Sequence, residues 1–99
     1  SSAPPLAGPR RRGFHARMSF TLRQLRAFVA VAENGSVSQA AQALSVSQSA
    51  VSEAVRDLEA DLGVRLFDRH ARGLSVTQRG HQFLRHAHAI LAQVAASRR

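Results

Sequence analysis

Residues 36–63 read SVSQAAQALSVSQSAVSEAVRDLEADLG, and the punctuation of this stretch decides the fold. Ser36 and Gln39 have capping-box spacing at the start of a short helix. Its apolar positions Val37, Ala40, Ala41 and Leu44 recur at i, i+3, i+4 and i+7. Ser45 and Val46 then make a tight turn, and Ser47 caps a second, longer helix. That helix carries Val51, Val55, Leu58 and Leu62 at spacings of 4, 3 and 4 and ends at Gly63. Two helices separated by so few residues, the second well capped, match the helix-turn-helix pattern. Small residues at Ala40 and Ala41 allow the first to cross close beneath the second.

Reading outward, Thr21 and Gln24 form another capping box, before a helix with Leu22, Leu25, Val29 and Ala32 on one face and Gly35 at its end. Downstream the rhythm changes. Val64 to Asp68 and Leu74 to Val76 read as two short strands, separated by Arg69, His70, Ala71, Arg72 and Gly73, so a hairpin with a basic tip is expected. Thr77 caps a last helix running to about Ala96. The expected fold class is mainly α: a winged helix-turn-helix, with a three-helix core and a β-hairpin wing, followed by a long linker helix. The expected organisation is a disordered basic arm at 1–17, the winged domain at 18–77 and a linker or dimerisation helix at 78–99.

Composition narrows the class of function. The chain has 99 residues, 44% of them apolar, no cysteine and a net charge of +8. Disulfides, thiolate metal sites and a cysteine nucleophile are therefore excluded. No apolar run approaches the roughly 20 residues that span a bilayer, and Arg10–Arg12 is not followed by an apolar stretch, so neither an anchor nor a secretory signal is expected. The cations are all arginine. Residues 1–17 contribute +4 and residues 18–99 another +4, a balance that points to a polyanion; a GC-rich genome accounts equally well for the choice of arginine over lysine. The first 17 residues hold all three prolines and the Arg10–Arg12 cluster, and Met18 resembles a natural start. The segment fits a cloning remnant, an over-extended start or a native basic arm.

At about 100° per residue, Ser49, Ser52, Glu53 and Arg56 cluster on the face opposite the apolar stripe of the longer helix, and Gln48 lies in its first turn; these five are the expected base readers. In a helix-turn-helix this helix enters the major groove and its N-terminal residues meet base edges; a glutamine there can bond adenine bidentately. One feature runs against simple attraction. Residues 48–62 hold Glu53, Asp57, Glu59 and Asp61 against Arg56 alone, a net of −3. Phosphate affinity must come from Arg23, Arg26, Arg65, Arg69, Arg72 and Arg79, together with the helix N-termini at Ser36 and Ser47. Glu53 either accepts from a cytosine amino group or pairs with a neighbouring arginine.

These residues resemble the DNA-binding domain of LysR-type transcriptional regulators. The resemblance is carried by Leu22–Arg23–Gln24–Leu25–Arg26–Ala27–Phe28, Gly35–Ser36, Ala40–Ala41, Leu44, Val46–Ser47–Gln48 and Ser52. It is densest from Leu58 to Arg69, and continues through Arg72–Gly73, Leu74 to Thr77 and Gly80. It implies a bacterial, sequence-specific regulator in which Gln48, Ser49 and Ser52 face bases and the wing-tip Arg72 reaches an adjacent minor groove. Ser49 stands where the family often has proline and Glu53 where it often has arginine, so base preference does not carry over from relatives. The family's larger domain, which binds a small-molecule inducer, is absent, and the chain is expected to be a fragment of a longer protein.

On the last helix Leu84, Ala87, Leu91 and Val94 fall at heptad spacing with Phe83 and Ile90 beside them. The stripe either packs on its own domain or pairs two subunits; pairing is expected, because a helix of this length outruns the core of so small a domain. His81 and His88 lie about 10 Å apart along that helix, too far for one ion, so no metal or other cofactor is expected. No carboxylate, histidine and nucleophile stand at meaningful spacing, and an enzyme is not expected. The expected function is specific binding of a two-half-site operator duplex by a homodimer, in the cytoplasm at the nucleoid and away from membranes. The alternatives are a non-specific architectural protein and a protein-interaction module acting through the last helix.

Overall fold

The computed structural model describes residues 20–98; the expected basic arm at 1–17 lies outside the described residues. Helix α1 (Leu22–Asn34) starts at Thr21, whose Oγ1 accepts from the Gln24 amide at 3.1 Å while Gln24 Oε1 accepts from the Thr21 amide at 3.0 Å. It closes at Gly35, in the left-handed region at φ 74°. Helix α2 (Val37–Leu44) begins at Ser36, whose Oγ accepts from the Gln39 amide at 3.0 Å. Among the described residues only this forward half of the expected capping box forms. Ser45 then turns the chain at φ 58°, and the Val46 amide donates back to the Ala41 carbonyl. Helix α3 (Gln48–Leu62) is capped by Ser47 Oγ on the Ala50 amide and ends at Gly63.

The hairpin differs from its expected bounds. Strands β1 (Phe67–His70) and β2 (Gly73–Val76) pair antiparallel, Phe67 opposite Val76 and His70 opposite Gly73. Only Ala71 and Arg72 remain as the turn. Both keep negative φ, so the reversal is completed by Gly73 at φ 122°, a conformation an L side chain rarely adopts. Val64 to Leu66 belongs to no strand, because its hydrogen bonds go elsewhere. The Val64 amide donates to the Glu59 carbonyl, the Leu66 amide to the Glu59 carboxylate, and the Leu66 carbonyl accepts from Thr77.

Helix α4 (Gln78–Ser97) starts at a threonine with three tasks. Thr77 Oγ1 accepts from the Gly80 amide at 2.9 Å and donates to the Arg65 carbonyl at 2.7 Å, while its own amide donates to Leu66. The helix therefore leaves the wing at a set angle and packs onto α1. Leu25, Phe28, Val31, Ala40, Val51, Leu58, Leu66 and Ala87 form the innermost core. Phe28 is fully buried, its ring 5.4 Å from Phe67 and 5.7 Å from Phe83, and Phe83 meets Phe20 edge-on at 5.9 Å. Leu62, expected in the stripe of α3, is only half-buried at the helix end, and Ala54 is buried instead.

Of the residues expected at a subunit interface, Ala87 is fully buried and Phe83 is half-buried in the described domain. Ala87 is completely covered by its own domain and Phe83 is engaged with Phe20 and Phe28. At that depth the first turns of α4 are core, because the α1 surface needs a cover that the short wing does not supply. Leu84, Ile90, Leu91 and Val94 remain half-buried.

Gly80 marks the tightest junction. A Cβ there would meet the Leu66 carbonyl oxygen and would lie 2.6 Å from Val76 Cγ1. Since the first obstacle is backbone, Gly80→Ala is expected to destabilise the domain by about 2–3 kcal/mol, to be read as a lower midpoint in urea denaturation.

Candidate nucleic-acid interface

The outer face of α3 is largely exposed. Gln48 and Ser49 are exposed in its first turn, Glu53 and Arg56 are exposed further along, and Ser52 is half-buried between them. The Ser49 hydroxyl sits 3.2 Å from Ser47 Oγ. Ser49 is thus joined to the cap, which ties its side chain to the helix start and leaves Gln48 as the long polar side chain of that turn.

The face divides along its length. On the wing side, Ser52 and Arg56 look into a groove of about 350 Å³ between α3 and the hairpin, which Arg65 and Arg69 also line. On the other side, Glu53 and Asp57 line an open depression of about 670 Å³ shared with Thr21, Arg23 and Gln24 at the start of α1. Glu53 and Asp57 thus lie off the wing side, and Glu59 is the α3 acid that lines the wing-side groove. Glu59 is turned inward, its Oε2 accepting from the amides of Leu66 at 2.7 Å and Phe67 at 3.3 Å. A carboxylate that accepts two backbone N–H groups is a structural anchor, and here it moors the start of the wing to the recognition helix.

The cations follow the opposite pattern. The ion pair recorded among the described residues joins His88 to Glu33 at 3.6 Å, between α4 and α1. Arg23, Arg56, Arg65, Arg69 and Arg72 make no ion pair among the described residues, and all five are exposed. Arg72 occupies the wing tip, where His70 Nε2 and Ser75 Oγ meet at 3.1 Å across the strands and brace the hairpin beneath it. The N-termini of α2 and α3 open onto solvent beside Ser36 and Ser47. Each serine accepts one helical amide, and Ser47 also shares a hydrogen bond with the Ser49 hydroxyl.

The structure therefore gathers Gln48, Ser49, Ser52 and Arg56 onto one surface, with Glu53 on its far flank. Arg69 and Arg72 lie on the adjoining wing and Arg23 at the opposite edge. Two residues of this surface are not placed by periodicity. Glu59 acts through amides seven and eight positions away, and Arg65 sits in an irregular link; only a charge without a partner signalled the latter.

A capped helix presented outward, a close-crossed helix beneath it and a braced basic hairpin beside it define a winged helix-turn-helix domain. The chain belongs to the lysR family of bacterial regulatory helix-turn-helix proteins, whose family model matches residues 22–81. A probable hydrogen peroxide-inducible genes activator of Mycobacterium xenopi is 50% identical over 76 residues, 77% of this chain and 40% of that protein. The HTH-type transcriptional regulator CrgA of Neisseria meningitidis is 47% identical over 74 residues, 75% of this chain and 25% of its own. The chain thus spans well under half the length of these relatives. Among solved structures, the DNA-binding domain of CbnR in complex with DNA superposes with a TM-score of 0.75 at 45% identity, covering 78% of this chain and 88% of that one. No described helix is long and apolar enough to cross a membrane.

Glu59 provides the direct check on how the wing is held. Glu59→Ala leaves the Leu66 and Phe67 amides without their carboxylate, a loss of about 1.5–3 kcal/mol for bonds to a charged group. Amide hydrogen exchange should show faster exchange in residues 66–76 than in α1.

Proposed function

We propose that this chain is the sequence-reading DNA-binding domain of a bacterial transcription regulator, acting on double-stranded DNA as a homodimer. One observation carries the proposal: exposed arginines without carboxylate partners share a surface with the outward-facing N-terminus of α3. The DNA complex formed by the similar CbnR domain supports it. In this reading Gln48 contacts a base edge in the major groove, with Ser49, Ser52 and Glu53 limiting which bases fit. Arg72 enters the neighbouring minor groove. Arg23, Arg69 and the α2 and α3 N-termini at Ser36 and Ser47 hold phosphates, which fixes register without reading sequence.

Pairing of two subunits would use Leu84, Ile90, Leu91 and Val94, the half-buried positions of α4. Two α3 helices would then address two half-sites of an interrupted palindrome. The site of action is the cytoplasmic nucleoid, and any small-molecule inducer would act through a domain outside this chain.

Selection from a random duplex library at near-physiological salt tests the proposal. Enrichment of an interrupted palindrome supports a specific dimeric reader. Binding without enrichment supports an architectural role instead, and capture of protein but not DNA supports an interaction module. On the enriched duplex, Gln48→Ala should relax preference at one base position per half-site, at a cost of about 1–3 kcal/mol in discrimination. Arg72→Ala should weaken binding and flatten its salt dependence, measured by fluorescence anisotropy across a salt series.

A further inference from the structure

We infer that Arg56, Arg65 and Arg69 form a composite clamp for a single phosphate of the DNA backbone, seated in the groove between α3 and the wing; the inference rests on the DNA-binding function proposed above. The three side chains come from three different segments: α3, the irregular link after it, and β1. They nevertheless line the same groove of about 350 Å³. None has a carboxylate partner among the described residues. Three positive charges line the groove against the single carboxylate of Glu59, and an external anion relieves the repulsion that this excess leaves. Glu59 is the acid in the groove lining, and its Oε2 is already engaged by the Leu66 and Phe67 amides.

The anion that fits is set by duplex geometry. If α3 occupies a major groove and the wing tip the adjacent minor groove, the sugar–phosphate strand separating those grooves must cross the gap between helix and hairpin. That gap is this groove. Its apolar floor, including Val55, Phe67 and Leu74, supports the aliphatic stems of the arginines while their guanidinium groups reach the rim. Guanidinium forks suit phosphate oxygens better than a point charge does. Arg56 thereby serves as a phosphate ligand rather than a base reader, and Arg65, already an expected source of phosphate affinity, shares its phosphate.

The test uses the whole chain and the duplex enriched by selection, together with a mixed-sequence duplex. Arg65→Gln keeps the stem and removes the charge at an exposed position. It should leave the thermal midpoint unchanged and lower the slope of log K against log salt by less than about 0.9 per half-site, the full value for one phosphate contact; Arg56→Gln should do the same, and replacing Arg56, Arg65 and Arg69 together should lower it by about 0.9 per half-site in all. Replacing backbone phosphates singly with neutral methylphosphonates should reveal one position per half-site at which Arg65→Gln has no further effect. An unchanged slope overturns the clamp, as does a loss that persists at every methylphosphonate position. Failure of the unmodified chain to bind either duplex overturns the DNA-binding function itself, a result distinct from binding that is insensitive to Arg65.

Discussion

The burial of Phe28 between Phe67 and Phe83 is the contact on which the rest of the domain depends. Phe28 belongs to α1, Phe67 opens the wing and Phe83 lies one turn into α4, so a single aromatic junction joins the helix-turn-helix to both appendages. Such ring pairs contribute about 0.5–1.5 kcal/mol each beyond the area they bury. The contribution matters because strands of four residues do not form a stable isolated hairpin in water. The wing stands only because Phe67 is anchored in the core, Glu59 holds the amides of Leu66 and Phe67, and Thr77 closes its far side.

This arrangement explains how a helix of net negative charge serves as the exposed element of a strongly basic chain. Charge summed along α3 is a poor guide, since its acids do different work. Glu59 is spent on backbone amides inside the domain, while Glu53 and Asp57 lie toward α1, away from the wing. On the surface between α3 and the hairpin, Arg56, Arg65 and Arg69 outnumber the one carboxylate, Glu59. A field built from cations on several segments is position-specific in a way that a basic helix is not: it is correct only while the wing keeps its place.

Helix α4 serves two purposes along its length. Its first turns complete the core through Phe83 and Ala87, and its later turns keep apolar residues half-exposed at Ile90, Leu91 and Val94. Because its origin is set by Thr77 and by the glycine at position 80, the direction of the half-exposed portion is tied to the wing. Under the proposed pairing, the spacing between two recognition helices would be inherited from that junction.

Sequence alone determined the helices and their ends, since caps and stops are local chemistry: Thr21, Ser36, Ser47 and Thr77 each accept a nearby amide, and Gly35 and Gly63 take backbone shapes that need no distant partner. The surface orientation of Gln48 and Arg56 was legible for the same reason, helical periodicity being a property of one element. Tertiary structure alone decided the strand bounds, the inward use of Glu59, the half-formed capping box at Ser36 and the coreward assignment of Phe83 and Ala87. It also decided that Arg65 meets Arg56 and Arg69 in one groove. Each of those depends on which backbone groups and side chains another segment brings within hydrogen-bonding or packing distance, and a periodic pattern, blind to anything beyond its own helix or strand, carries no record of that.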